Sequence, residues 1–385
     1  MIYTPAFWAM AAANFAQTAS FSAFFLLPLY LHDHGGHPGD VGVVMGVFAL
    51  ASALCRPWVA EMIDRIGRKL SYTLGSLIMV AAPLVHLGFA DPLGAGYPWL
   101  LALRAVHGVG MAICFTAVFT YMADILPPDR LNEGIGMFGI SGLAGVAAGP
   151  LAAEAILLQA GYPGLFLAAA GFSLISLLVH LPLAESHAPP PHRQGPSFFA
   201  LLGQDKFVKV ALLSLLFGLG LAGTGNFVAP LAAERGLGVV SSYYLCYSAG
   251  AIATRVCGGR LADRYGEVRL LPWGLALYTL GLLLLPAATG LPLLALAGIG
   301  AGMGHGLLFP TLNTLAVRGE AGDVRGKATG IFTGGIDAGC FAGSLLLGYI
   351  GQWFGLPALF WAAGAGMAGG LLLLGLRPPA NHTAT

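Results

Sequence analysis

The segment EMIDRIGRK, residues 61–69, places five charged side chains in nine positions of a chain in which only 9% of the residues are charged. A second segment, GRLADRYGEVR at residues 259–269, repeats the Asp-Arg-x-Gly pattern of the first with an offset of 199 residues. An arginine precedes each aspartate by eight positions, Arg56 in the first copy and Arg255 in the second. A signal for membrane topology needs positive charge but no fixed spacing. The repeat therefore indicates a chain built from two related halves.

The composition of the chain is that of a membrane protein. Hydrophobic residues make up 57% of its 385 residues, whereas soluble domains contain about 45–50% apolar and about 25% charged residues. The net charge of +1 gives no electrostatic reason to expect a nucleic-acid partner. The five cysteines are scattered without CxxC pairs, so the sequence predicts neither a disulfide framework nor a metal site, and no cofactor is expected.

Apolar runs of the length that crosses a bilayer, about 20 residues, recur along the whole chain. The runs are continuous rather than alternating, which favours an all-α membrane protein and argues against a β-barrel. Charged or Pro/Gly-rich segments divide them into twelve predicted spans, near residues 6–31, 40–59, 70–89, 97–122, 132–158, 163–183, 207–233, 239–258, 270–288, 291–316, 327–350 and 355–376.

The distribution of basic residues predicts the orientation of these spans. If both termini are cytoplasmic, the outer loops carry only Arg235, and Arg104 lies within a span. The other sixteen of the 18 lysines and arginines then fall on the cytoplasmic side. This asymmetry is what the positive-inside rule describes. We therefore predict a multi-pass protein of a bacterial inner (cytoplasmic) membrane with both termini in the cytoplasm.

Further pairs of motifs keep nearly the same offset as the charged repeat. His107-Gly matches His305-Gly, and the two GxxxG motifs that begin at Gly145 and Gly339 also correspond. A polar, proline-rich segment separates the two sets. The sequence thus predicts two pseudo-symmetric six-helix bundles and a connector, namely an N-terminal bundle at 1–183, a cytoplasmic linker at 184–206 and a C-terminal bundle at 207–385.

Three motifs resemble those of the major facilitator superfamily (MFS). AEMIDRIGRK (60–69) is similar to the loop 2–3 signature GxxxDxxGRK, RAVHGVG (104–110) to the span-4 motif RxxQGxG, and GVAAGPLAAE (145–154) to the span-5 motif GxxxGPxxGG of drug–proton antiporters. Alanine replaces the first glycine of the first motif, histidine the glutamine of the second, and Ala-Glu the final glycines of the third. The resemblance implies the MFS fold and transport by alternating access between two rocking bundles, with substrate bound between them.

The resemblance also implies gates. Asp64 would lie near the cytoplasmic start of span 11, and Arg68 would face an acidic residue at the end of span 4, for which Asp124 is the candidate. With the repeat, the predicted cytoplasmic gate comprises Asp64, Arg65, Gly67, Arg68, Asp124, Asp263, Arg264 and Gly266. Glycines four residues apart let helices approach closely, and a proline favours a kink. The predicted helix-packing gate in spans 5 and 11 comprises Gly145, Gly149, Pro150, Gly335, Gly339 and Gly343.

Ionisable residues inside a bilayer are costly and therefore mark function. Asp337 lies near the midplane of span 11, and the matching position of the first half is Leu143, so the charge belongs to one half only. It is a candidate for proton binding, and the alternative is a structural aspartate bonded to hydroxyls such as that of Thr333. Arg104, a candidate for the substrate cavity, and Glu154, a candidate for proton coupling, lie at similar depths in neighbouring spans. They are expected to pair, either as a proton- or substrate-dependent contact or as a static brace.

The two histidines at matching depths, His107 and His305, are candidates for proton transfer or ligand contact, or else satisfied core residues. The neutral polar residues Asn14, Gln17 and Asn226 are predicted to line the substrate cavity or to bond neighbouring helices. HDHGGH at 32–37 is interpreted as an outer loop rather than a metal site.

Together these features predict a monomeric secondary transporter, most simply a proton-coupled antiporter that exports a small organic molecule. Its expected partners are this substrate, protons and the lipid bilayer. The alternatives are an importer or facilitator of a sugar, organic acid, lipid or metal, and a non-transporting membrane receptor. An enzyme is not expected, because no nucleophile–base, metal or cofactor constellation stands out in the sequence.

Overall fold

The computed structural model describes residues 3–89, 91–127, 130–186, 196–265, 267–320 and 322–376, with side chains described except at 131–132, 258–268, 322–323 and 375–376. Every regular element in these ranges is a helix, which confirms the all-α prediction. We call the end of the bundle that carries residues 3 and 376 the inner end, and the opposite end the outer end.

The N-terminal half contains six membrane crossings. Its helices are α1 (Pro5–Ala23), which continues through a 3-10 turn (Phe24–Leu26) into α2 (Leu27–Asp33), then α3 (Pro38–Ile66), α4 (Arg68–His86), α5 (Tyr97–Ile125) and α6 (Leu131–His180). Gly161 splits α6 into two crossings, because its φ of 62° and ψ of −165° lie outside the helical region. Only glycine adopts this conformation without strain.

The C-terminal half repeats the arrangement. After a short linker helix, α7 (Phe198–Leu202), it contains α8 (Asp205–Glu234), α9 (Ser241–Tyr265), α10 (Glu267–Leu284) with a 3-10 turn (Leu285–Ala287), α11 (Leu291–Val317), α12 (Gly322–Phe354) and α13 (Leu356–Leu376). Helix α7 lies within the predicted linker, of which residues 187–195 are outside the described ranges. The exact bundle boundaries at 183 and 207 stay predictions.

The number of crossings agrees with the sequence. Nine helical stretches of the described chain are long and apolar enough to span a membrane. One of them is the double crossing α6, and the more polar helices α4 and α9 occupy the places of predicted spans 3 and 8. Twelve transmembrane helices in two halves are therefore confirmed.

The glycines of the predicted helix-packing gate lie inside the halves rather than between them. A Cβ at Gly145 would lie 2.6 Å from the carbonyl oxygen of Phe15, and one at Gly149 would collide with α1 as well. In the C-terminal half, Gly335, Gly339 and Gly343 press α12 against α8 in the same way. Pro150 is contained in α6, which continues through it. These glycines thus hold each half together as a unit.

The two halves contact each other through α3 with α12 and through α6 with α9. Near the outer end, a Cβ at Gly42 would collide with the carbonyl oxygen of Ser344. The rings of Phe25 and Tyr244, one from each half, lie 5.1 Å apart. The halves therefore contact each other closely in their outer portions, and a central cavity lies between them.

Candidate functional site

A cavity of about 280 Å³ lies between the halves. Its walls are largely apolar and include aromatic side chains from both halves, namely Phe21, Phe24, Phe25, Phe48, Phe115, Phe119, Tyr243, Tyr244, Tyr247 and Phe309. The charged residues that line it are Arg56, Arg104, Arg255 and Asp337. An apolar cavity with a few convergent polar groups is the usual form of a small-molecule site.

Asp337 is bound from the opposite half. The Nε of Arg56 on α3 donates to Oδ2 of Asp337 on α12 at 2.6 Å, and the hydroxyl of Ser52 donates to the same oxygen at 2.8 Å. The side chains of Arg56 and Asp337 are only 10% and 18% exposed. Thr333, the hydroxyl suggested by the sequence, donates to the carbonyl of Thr329 instead. Asp337 is therefore part of a contact between the halves.

Arg104 is held by aromatic and neutral groups. Its side chain on α5 is 1% exposed, and its guanidinium carbon lies 4.6 Å from the centre of the Phe48 ring and 5.3 Å from that of Phe24. Nη1 lies 3.0 Å from Nδ1 of His107, and Nε donates to the carbonyl of Val44 at 3.4 Å. No carboxylate among the described residues pairs with it.

The predicted pair of Arg104 with Glu154 is wrong. The carboxylate of Glu154 on α6 accepts hydrogen bonds from the backbone N–H groups of Val240 and Ser241, at 2.8 and 2.9 Å. These N–H groups begin α9, and the start of a helix offers unsatisfied donors and a positive dipole end to a carboxylate. Glu154 thus links the two halves near the outer end.

The two matched histidines have different surroundings. His107 is fully buried among Phe24 and Phe48, with ring centres 4.7 and 5.3 Å away, and does not line the cavity. His305 lines the cavity, and its Nδ1 lies 2.5 Å from the hydroxyl of Tyr247. Of the two, only His305 stands where a ligand can touch it.

The candidate amides bond neighbouring helices within their own half. Asn14 donates to the hydroxyl of Ser141 and Asn226 to that of Ser344, each at 2.8 Å, and both asparagines also line the cavity. Gln17 donates to Ser173 at 3.2 Å and lies behind the cavity wall. The two asparagines therefore combine both predicted roles, whereas Gln17 has only the structural one.

At the inner end, Arg68 of α4 connects the last turn of α3 to the end of α5. Its Nε donates to Oδ2 of Asp124 at 2.8 Å, and its Nη1 lies 3.5 Å from Oδ1 of Asp64. Arg65 pairs with Glu61 on the surface. The expected approach of Asp64 to the start of span 11 stays a prediction.

Gly67 lies against the carboxylate of Glu185, an acidic residue that was not among the sequence-based candidates. Its φ is 96°, and a Cβ there would lie 2.5 Å from Oε2 of Glu185. Glu185 also accepts from the backbone N–H of Arg68 at 2.9 Å and of Lys69 at 3.1 Å, so it caps the start of α4. In the second copy of the motif, Gly266 and the side chains of Asp263 and Arg264 lie outside the described residues.

The sequence reading also missed the site roles of Arg56 and Arg255, which it used only as markers of the repeat. Arg255 lines the cavity from α9, with its guanidinium carbon 5.3 Å from the centre of the Phe309 ring. Its Nε is buried without a hydrogen-bond partner in the described structure. The paired spacing of both arginines before the charged motif was the signal that could have identified them.

Comparisons with known proteins agree with this architecture. The quinolone resistance protein NorA of Staphylococcus aureus (strain MRSA252) is 22% identical over 366 residues, covering 91% of this chain and 90% of NorA. The uncharacterized MFS-type transporter YhhS of Escherichia coli (strain K12) is 26% identical, covering 92% and 88%.

Solved structures show the same fold. The human organic anion transporter MFSD10 (TETRAN) superposes with a TM-score of 0.72 at 18% identity, over 97% of this chain and 100% of that one. A POT family transporter in complex with a thioalcohol-conjugated peptide gives 0.80 at 14% identity, over 97% and 96%. The family profile described as Major Facilitator Superfamily matches residues 8–246 and 210–385. The chain belongs to the Major Facilitator Superfamily and is a multi-pass membrane transporter.

Proposed function

We propose that the protein is a secondary active transporter that exports a small organic molecule in exchange for protons. The observation that carries this proposal is the contact between Asp337 and Arg56. Both residues line the central cavity, and their contact joins the two halves of the protein. In the proposed mechanism, the same carboxylate binds the coupling proton and joins the two halves. Proton-coupled alternating access requires such a link, because the arrangement of the halves must change when the proton binds or leaves.

Protonation of Asp337 removes its negative charge, whereas the guanidinium of Arg56 keeps its positive charge. The ion pair across α3 and α12 is then lost. Breaking a buried pair is costly because it leaves one charge uncompensated, so the proton-bound form favours another arrangement of the halves. In the proposed cycle, Asp337 takes up a proton from the outer side and releases it to the inner side, and the substrate travels in the opposite direction.

Two gates complete the cycle. At the outer end, the Glu154 carboxylate on the start of α9 must separate before the cavity can open outward. Protonation of Glu154 would weaken this contact, because a neutral carboxyl interacts less with a helix dipole. At the inner end, we propose that Asp64, Arg68 and Asp124 form a rigid surface against which the second half closes.

The direction of transport is supported by the family likeness. The relative NorA is named for resistance to quinolones, and the segment GVAAGPLAAE resembles a motif of drug–proton antiporters. The basic residues support a cytoplasmic inner end in a bacterial inner membrane. Protons and the substrate are the proposed partners, and the monomer is the proposed unit.

The test is transport by the purified protein in liposomes with an imposed pH gradient. A panel of fluorescent aromatic compounds, including the anion fluorescein and the cation rhodamine 123, is assayed for movement against the proton flux. We expect a transported compound to drive proton movement in the opposite direction. Movement of substrate and protons in the same direction, or of substrate without protons, would overturn the antiport assignment.

A second function is favoured by the charge of the cavity. Three arginines and one aspartate line it, so a proton on Asp337 makes the cavity still more positive and more attractive to an anion. That relation would suit import of an organic acid together with a proton. Flux in liposomes separates the two functions, since antiport predicts movement of substrate and protons in opposite directions and symport predicts movement in the same direction.

A further inference from the structure

Arg56 and Arg255 occupy equivalent positions in the two halves. Arg56 on α3 lies against α12, with its Cδ 3.9 Å from a Cβ built on Gly334. Arg255 on α9 lies against α6, where a Cβ built on Gly139 would collide with its Nη1. Each arginine therefore crosses from its own half to a glycine of the other half at the cavity wall.

The partners of the two arginines are not equivalent. Arg56 binds the carboxylate of Asp337 at 2.6 Å. The offset of the glycine motifs pairs Asp337 with Leu143 of α6, which also lines the cavity and is 3% exposed. Among the described residues no carboxylate binds Arg255, and its buried Nε has no hydrogen-bond partner. The second half thus keeps the arginine of the pair while the aspartate is replaced by leucine.

This asymmetry leaves the cavity with excess positive charge. Arg104 is likewise without a carboxylate and rests on the ring of Phe48. Arginine keeps its charge in proteins, so Arg56 is balanced by Asp337 while Arg104 and Arg255 have no balancing carboxylate among the described cavity residues. Buried charges are unfavourable unless they are paired. A ligand that brings negative charge into the cavity is therefore stabilised there.

The rest of the cavity fits an aromatic body. Phe25 and Tyr244 meet between the halves, Phe48 lies beside Arg104, and Phe309 lies beside Arg255. Rings of a ligand can stack or pack edge-to-face on such side chains.

We propose that the substrate is a small organic anion with an aromatic body, whose carboxylate binds Arg255 and supplies the negative charge that Asp337 supplies to Arg56. This substrate class rests on the proposed function of the cavity as the transport site. Arg104 provides a second cationic contact closer to the outer end. Export of an anion from the cytoplasm also proceeds down an inside-negative membrane potential.

The first test measures equilibrium binding to the full-length protein in lipid nanodiscs, without any gradient. Fluorescein, an aromatic carboxylate, and rhodamine 123, a cation of similar shape, are titrated by fluorescence polarisation with empty nanodiscs as background. We expect fluorescein to bind at least about tenfold more tightly, and Arg255→Gln to weaken its binding about ten- to a hundredfold, since a charge-assisted bond is lost. Arg255→Lys should restore part of the affinity, and the surface variant Arg130→Gln should leave it unchanged.

The second test supplies the missing carboxylate. Leu143→Asp places an acid at the position equivalent to Asp337, so it should neutralise Arg255 and weaken fluorescein binding as strongly as Arg255→Gln does. The asparagine in Leu143→Asn has the shape of aspartate but no charge. This variant should bind fluorescein at least about tenfold more tightly than Leu143→Asp does. Circular dichroism spectra and size-exclusion profiles identify variants that fail to fold.

The proposal is overturned if rhodamine 123 binds as tightly as fluorescein, if neither probe binds, or if Leu143→Asp and Leu143→Asn bind fluorescein equally. These readouts involve no transport. Charge-selective binding without proton-coupled movement in liposomes would instead refute the proposed function and leave the substrate class intact.

Discussion

Asp337 of α12 and Arg56 of α3 join the two halves of the protein by a hydrogen bond of 2.6 Å. The hydroxyl of Ser52 on α3 donates to the same carboxylate oxygen at 2.8 Å. Both donors come from the half opposite to Asp337. In the proposed cycle, the stability of this contact is linked to the protonation of Asp337.

The energetic coupling of this pair is measurable. Asp337→Asn leaves Arg56 buried without its counter-charge, and Arg56→Gln does the reverse, so each is expected to lower the free energy of unfolding by about 3–5 kcal/mol. The double variant should lose less than the sum of the two single losses. Thermal unfolding in detergent measures all three. Asp91→Asn, in an exposed outer loop, is the control and should cost about 1 kcal/mol or less; strictly additive losses would contradict the pairing.

The outer contact should respond to the charge of Glu154. Glu154→Gln weakens the interaction with the N–H groups of Val240 and Ser241 by about 0.3–2 kcal/mol, the worth of a carboxylate at a helix N-terminus. We expect a larger outward-open population, measured as a longer distance between spin labels at Leu158 and Val239. An unchanged distance distribution in Glu154→Ala would show that this contact does not hold the outer end closed.

Gly67 should be irreplaceable for two reasons. Its φ of 96° is unfavourable for any other residue, and a Cβ would lie 2.5 Å from the Glu185 carboxylate that caps α4. We expect Gly67→Ala to lower the free energy of unfolding by at least about 1–3 kcal/mol. Gly136→Ala is the matched control, because it lies in a helix with open space around the added methyl group and should be neutral or stabilising. Thermal unfolding of both purified variants measures the difference, and equal melting temperatures would refute it.

Asp64 should affect transport more than binding. It lies at the inner end, its side chain is 42% exposed, and its Oδ1 is 3.5 Å from Nη1 of Arg68. Asp64 is not among the residues that line the cavity. Asp64→Asn is expected to reduce transport in liposomes at least about tenfold while changing probe affinity less than about threefold. Glu61→Gln, which removes a surface pair with Arg65, is the control. Equal loss of binding and transport would place Asp64 in the binding site.

The sequence predicted the architecture well because length and apolarity largely determine membrane spans. Its doubled charge motif correctly indicated two halves, and the break at Gly161 fell between predicted spans 5 and 6. These are properties of segments. They can be read without knowing which face of a helix turns toward which neighbour.

Contacts between particular side chains were harder to predict, since equal depth in two helices does not mean that two residues face each other. Arg104 and Glu154 point to different neighbours, one to aromatic rings of its own half and the other to the start of α9. The partner of Asp337 is Arg56, which lies 281 residues earlier in the sequence. The packing of α3 on α12 brings the two residues together. Glu185 was overlooked because it stands in the polar linker.

The most direct test of the central claim separates exchange from proton-driven transport in Asp337→Asn. In liposomes with a substrate on both sides and no pH gradient, the variant should still exchange external labelled substrate for internal substrate, because exchange needs no proton. With an imposed pH gradient it should fail to accumulate substrate, whereas the unmodified protein accumulates it. Accumulation by Asp337→Asn with the proton dependence of the unmodified protein would contradict the assignment of the coupling proton to Asp337.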